Sequence, residues 1–198
     1  MEPEKDGIQT CYAPDRAAWR EWLRQHHATE KNVWLIIFHK SSQMQSVYYN
    51  EAVDEALCFG WIDSKAKKRD GESTYQFFSR RNPKSNWSAV NKNKIETLMA
   101  QGLMTEAGLR MVELAKETGT WTALNDVDNL VIPDDLRSAL SGQPEALRNF
   151  EAFPRSARRG ILEWILNARQ PVTRRKRIEE TVAMAARNQQ ANQYQRKV

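Results

Sequence analysis

The stretch WIDSKAKKRDGESTYQFFSR, residues 61–80, sets the fold class, because two alternating runs flank a turn. Residues 61–68 and 75–80 alternate as half-buried strands do, and Asp70-Gly71-Glu72-Ser73 between them is a turn signal, so the stretch reads as a β-hairpin. Working outward, Val33 to Phe38 is a continuous apolar run with three β-branched members. It is too short for a helix and suits a strand covered on both faces, central in its sheet. Pro14 and Asp15 start a helix that carries Trp19, Trp22, Leu23 and His26 on one face, and a second helix runs from Tyr48 to a stop at Gly60. This order predicts an α+β fold with a mixed or antiparallel sheet.

Downstream of the hairpin, Pro83 interrupts the chain and Ser85 or Ser88 caps a helix that closes at Gly102. Thr105 caps the next, which ends at Gly119, with Trp121 folding back as an apolar plug. Residues 122–132 have no helical period and are rich in Asn and Asp, so they read as a linker. Beyond them the pattern is helical throughout, with Pro133, Pro144, Pro154 and Pro171 at first turns and a polar tail from Gln189 to Val198 expected to fray. The expected domains are an α+β domain over 12–121 and an all-helical C-terminal half over 133–190, packed as one unit or two.

A 40% hydrophobic fraction and seven tryptophans in 198 residues exclude a disordered chain. No apolar run approaches the roughly 20 residues that span a bilayer, and the start MEPEKDGIQT has neither a basic nor an apolar signal region. Membrane insertion is therefore not expected, and a cytoplasmic location is. Only Cys11 and Cys58 are present, which argues against a structural disulfide. The net charge of +5 is unevenly spread: −3 over residues 1–60, +6 over 61–94, −6 over 95–153 and +8 over 154–198. Either these blocks neutralise one another in the fold, or a basic patch faces an anionic partner.

Signatures of common enzymes are missing: there is no GxxxxGK[ST], GxGxxG after a strand, HExxH or GxSxG. His26, His27 and His39 with two distant cysteines make no metal-ligand spacing, so neither metal nor cofactor is expected. Three segments invite more. In EALCFGWIDS, residues 55–64, strand alternation places Trp61, Asp63 and Lys65 on one face, either as a ligand-orienting acid and base or as a surface ion pair beside a tryptophan. Cys58 reads as a core residue. In RRNPKSNWS, residues 80–88, Arg80, Arg81 and Lys84 bring positive charge to a helix start, and Ser85 and Ser88 add hydroxyls. An anion bound there, or a carboxylate such as Asp63, would compensate that charge. In TRRKRIEE, residues 173–180, Arg174, Arg175, Lys176 and Arg177 offer phosphate contacts or a solvated face paired with the acidic block 95–153.

The ordered blocks VWLIIFHK, YYNEAVDEALCFGWIDSK, RRNPKSNWSAVNK and TRRKRIEE resemble the YdeI/OmpD-associated (bacteriocin-protection) family over about residues 12–187. Ser79 stands where that family often has a proline. The resemblance implies protection against bacteriocins or association with a porin, and carries over no catalytic residue. The leading functional reading is a bacterial binding or stress-protection protein with an anion-accepting surface of Trp61, Asp63, Lys65, Arg80, Arg81, Lys84, Ser85, Trp87 and Ser88. Its partner would be an anionic small molecule or a protein. One rival binds nucleic acid through the basic C-terminal helices, with Trp61 or Trp87 stacking on bases. The other is a small-molecule enzyme with Asp63 as base and the arginines as an anion clamp.

Overall fold

The computed structural model describes residues 3–192, so only part of the polar tail falls within the described residues. The chain divides after Thr122 into two compact units. The first contains β1 (Glu4–Lys5), β2 (Ile8–Tyr12), α1 (Arg16–His26), β3 (Asn32–Phe38), α2 (Tyr49–Cys58), β4 (Trp61–Lys68), β5 (Ser73–Arg80), α3 (Ala89–Ala100) and α4 (Glu106–Glu117). Its five strands form one mixed sheet in the order β1-β2-β3-β5-β4, in which β2 and β3 are parallel and the other pairs antiparallel.

The hairpin of residues 61–80 forms as its turn dictates. Asp70 accepts from the backbone N–H of Glu72 and Ser73 at 2.8 and 2.7 Å, which holds the turn closed. The second hairpin strand inserts beside β3, so β3 lies third of five and contributes to both faces. Val33 and Leu35 enter one core with Trp19, Leu23, Leu57, Trp61 and Phe78, while Trp34, Ile36 and Phe38 enter a second cluster with Tyr75. Strands β1 and β2 escape a reading based on apolar runs, since they are short and half polar. Their hairpin is made by Asp6 and Gly7, both with positive φ, the geometry of a tight two-residue turn.

Helix ends follow local chemistry. Asp15 accepts from the N–H of Ala18 at 2.8 Å, Ser88 from Asn91 at 3.3 Å and Thr105 from Gly108 at 3.4 Å. Gly60, at φ +73°, ends α2 in the left-handed region and turns the chain into β4.

The second unit holds α5 (Asn125–Asp128), α6 (Asp134–Ser141), α7 (Pro144–Ala152), α8 (Arg155–Leu166) and α9 (Pro171–Ala186). Leu136, Leu140, Phe150, Ile161, Ile165, Ile178 and Val182 meet in its core. The stretch 122–132 differs from the expected linker. Leu124 and Val127 are buried in this core, the first capping α5 and the second within it, and Leu130, with φ of 58°, follows the turn. Its apolar residues are too few for a helical period, yet one short turn is enough to bury two of them.

Candidate functional site

The sequence alternation that groups Trp61, Asp63 and Lys65 is broken by a β-bulge. Asp63 pairs with Phe78 but Ala66 pairs with Gln76, so β4 carries one extra residue between them and its later side chains change face. Trp61 and Asp63 stay on the face of Phe78, whereas Lys65 is re-aimed to the other, its Nζ 5.1 Å from the ring centre of Phe77 and 5.5 Å from that of Trp34. The expected Asp63 and Lys65 pairing on one face is thus corrected. The partners of Asp63 are the hydroxyl of Tyr49, donating at 2.7 Å, and the amide of Gln76, at 3.4 Å. Partial burial and this bond to a carboxylate push the Tyr49 phenol up to about 12.

The segment 80–88 places its two arginines differently. Arg80 reaches back past the end of α1, donating from Nε to the carbonyl of Glu30 and from Nη2 to that of Ala28, both at 2.6 Å. These bonds use a guanidinium to satisfy carbonyls left over after a helix. Arg81 turns inward. It is only 6% exposed, its guanidinium lies 3.7 Å from the ring centre of Trp87, and Nη2 donates to the carbonyl of Asn86 at 2.6 Å. Its Nε has no hydrogen-bond partner, and no carboxylate among the described residues pairs with it. Burial lowers its pKa to about 10, so it remains a cation at neutral pH.

The loop that follows is held by Asn82, whose side chain accepts from the N–H of Lys84 at 2.9 Å and whose carbonyl accepts from the Ser85 hydroxyl at 2.7 Å. Lys84 is exposed, and the helix starts at Ala89 with Ser88, not Ser85, as its cap. Trp87 and Trp61 are both buried: Trp87 packs 5.1 Å from Trp121, and the Trp61 indole donates to the carbonyl of His27 at 3.3 Å. Neither presents a ring for nucleobases, which corrects the stacking role expected of them. Of the predicted residues, the fold therefore joins Arg81, Trp87 and the loop leading to Ser88, and separates Lys65 and Arg80 from them.

On α9, Arg174 grips Asp135 of α6 with two bonds of 2.6 and 2.9 Å, the pairing with the acidic block that the charge pattern allowed. Arg177 lies over the Trp164 ring at 4.9 Å and donates to the Trp164 carbonyl. Arg175 and Lys176 point to solvent.

One ionic cluster goes unseen in sequence. Glu55, on the buried face of α2 and 1% exposed, accepts from Arg16 and Arg20 of α1 at 2.5 Å each, and Arg20 also donates to the carbonyl of Leu103 at 2.8 Å. Its available signal was Arg16 and Arg20 four apart on one helix face opposite a carboxylate inside an apolar stripe. Beside it, the Cys58 thiol is pushed up to about 11, chiefly by burial, and Cys11 up to about 12 for the same reason, so neither supplies a thiolate nucleophile at neutral pH. Among the described residues no group of three or more His, Cys, Asp or Glu could hold a metal ion, and no helix is long and apolar enough to cross a membrane.

The fold and this site define a two-unit α+β protein whose sheet unit encloses a buried arginine and whose second unit is a small helical bundle. Residues 11–111, just over half the chain, match the model of a domain of unknown function (DUF8412), and the chain belongs to that family. Residues 129–188 match the model described as Bacteriocin-protection, YdeI or OmpD-Associated, the family that the motifs resemble. That second match lies in the helical unit, so EALCFGWIDS and SNWS, read as marks of the same family, fall instead within the first match. No curated protein and no solved structure matches the chain.

Proposed function

We propose that this chain, whose helical unit matches the bacteriocin-protection model, is a binding protein that accepts a phosphate or carboxylate group at the loop joining β5 to α3. Arg81 carries the reading: a guanidinium almost wholly withdrawn from water, with no carboxylate partner and an unmet Nε. Burying an unpaired charge costs several kcal/mol, which stacking on one indole only partly offsets. An anion arriving at the loop supplies the missing countercharge. Ser88 and the first N–H groups of α3 stand at the end of the same loop, with exposed Lys84 between. Lys65 and Arg80, turned elsewhere, leave the set.

Thermal unfolding in phosphate, against chloride at equal ionic strength, tests this reading. A ligand that binds only the folded state raises Tm by mass action, but phosphate and sulfate also stabilise by exclusion from the surface, so the comparison with a variant decides. Arg81→Met keeps the bulk against Trp87 and removes the charge. It is expected to fold with a Tm at or above the parent's, because the unpaired buried charge is gone, and to lose the excess response to phosphate. An undiminished phosphate response in Arg81→Met refutes the site.

A further inference from the structure

A cleft of about 400 Å³ lies in the first unit between α1, α2 and α3, a volume within the range of small-molecule sites. Two adjacent carboxylates of α2 build it. Successive residues of a helix point about 100° apart, so Glu55 faces α1 and takes Arg16 and Arg20, while Asp54 faces α3 and takes Lys94. Each ion pair leaves one polar atom over. Lys94 donates to Oδ1 of Asp54 at 2.5 Å, and Oδ2 accepts no hydrogen bond among the described residues. Arg16 gives Nε to Glu55 and keeps Nη2 buried without a partner, so the guanidinium nitrogen left open in this 38% exposed side chain is Nη1. The Arg16 pKa is raised chiefly by its bond to Glu55, against desolvation, and further by the charges of Asp54 and Glu51, which places Asp54 within electrostatic reach. The third wall is a row on α3. Asn93, Thr97 and Gln101 recur every four residues and line the cleft with two amides and a hydroxyl beside Leu98. The Thr97 hydroxyl donates to the Asn93 carbonyl at 3.1 Å and stays free to accept.

We infer that this cleft binds a zwitterionic α-amino acid with an uncharged polar side chain. Its carboxylate meets Nη1 of Arg16, its ammonium meets Oδ2 of Asp54, and its side chain lies along Asn93, Thr97 and Gln101. The charge balance selects this class. Arg16, Arg20 and Lys94 are matched by Glu51, Asp54 and Glu55, so the site draws neither a plain anion nor a plain cation. A free anion would satisfy Arg16 alone and a free cation Asp54 alone, whereas a ligand with both charges makes two charge-assisted bonds, each about twice as strong as a neutral one. No side chain has to open. Asp54 and Arg16 already reach solvent, and their bonds to Lys94 and Glu55 fix them in place before the ligand arrives. None of these observations involves the loop of Arg81, so the inference stands apart from the anion site proposed there.

NMR titration of the isotope-labelled full chain with L-glutamine tests this, and a Kd of about 10 mM or tighter is expected for a ligand of that size. N-acetyl-L-glutamine lacks the ammonium and L-glutaminamide lacks the carboxylate. Each should bind at least about tenfold more weakly, the worth of one hydrogen bond to a charged group. Asn93→Trp, at an exposed position of α3, fills the cleft and should abolish binding. Asp54→Asn should weaken L-glutamine about tenfold and leave N-acetyl-L-glutamine unchanged, a difference that a merely structural role for Asp54 would not produce. Arg81→Met should bind L-glutamine as the parent does, which keeps this result separate from the phosphate test. No saturable shift at several times the expected Kd, equal affinity for the three ligands, or unaltered binding in Asn93→Trp overturns the assignment. So does an Asp54→Asn variant that weakens both ligands alike. The three-ligand comparison uses the parent chain and decides the matter even where a variant fails to fold.

Discussion

In the first unit a carboxylate and a guanidinium lie inside the fold, Glu55 held by two arginines and Arg81 by an indole and a carbonyl. In the second, the buried polar side chain among the described residues is Thr181, whose hydroxyl simply donates to the carbonyl of Arg177 one turn earlier. Its ion pairs, Arg159 with Asp128 and Glu163 and Arg174 with Asp135, stay on the rim. The same contrast holds for backbone approach. Gly108 in α4 lies where a Cβ would come within 2.2 Å of the carbonyl oxygen of Cys58, whereas a Cβ on Gly160 in α8 would meet nothing within 4 Å. Apolar burial at helical spacing suffices to assemble the second unit. The first adds tight contacts and internal charges whose loss cannot be relaxed away.

The largest effect expected to sharpen this comparison is at Glu55. Glu55→Ala leaves Arg16 and Arg20, each about a third exposed, without their countercharge and should cost about 1.5 to 3 kcal/mol in chemical denaturation. Glu55→Gln, which keeps hydrogen-bond acceptance, should cost less. An Ala variant within about 1 kcal/mol of the parent would break the contrast, since that is the range of exposed pairs.

Next comes Gly108→Ala. Alanine favours a helix over glycine by about 1 kcal/mol, but overpacking against the backbone of α2 costs about 1 to 3 kcal/mol or more. The contact is backbone against Cβ, with no flexible side chain to give way, so net destabilisation is expected in thermal unfolding. Gly160→Ala reverses the sign: with open space around it, helix propensity alone acts, and stabilisation of up to about 1 kcal/mol should appear. Two glycines in helix interiors with the same response would remove the distinction between the units.

The smallest effect is at Arg174. Its guanidinium holds the Asp135 carboxyl below its usual range. A depressed folded pKa contributes stability above the unfolded carboxylate value near 4 and loses it as pH falls through the lower folded value. Both side chains are partly solvated, so Arg174→Ala should cost below about 1 kcal/mol at pH 7 and nothing at a pH under Asp135's folded pKa. A cost that stays constant with pH would mean that Arg174 acts through packing on α8 and not through its charge.

The candidate anion site was only partly legible in the residues. RRNPKSNWS marks a cationic segment entering a helix, and Ser88 does cap that helix. Which arginine turns inward depends on strand pleat and on what lies beneath. Arg80 and Arg81 are adjacent, so one faces the carbonyls after α1 and the other the Trp87 ring. No local pattern distinguishes them.

The sequence by itself determined most of the elements, though not β1, β2 or α5. The turn at Asp70-Gly71, the apolar run of β3, the caps Asp15, Ser88 and Thr105 and the helical spacing after Pro133 are local features, because turns, caps and periodicities act over a few neighbouring residues. Only the tertiary structure decided the rest: the insertion of β5 between β3 and β4, the bulge that carries Lys65 across the sheet, and the burial of Glu55 and Arg81. Each of these is a matter of register between segments far apart in the chain. A single extra residue in β4 reverses every later side chain, and the packing of both faces, not any local preference, sets where it falls.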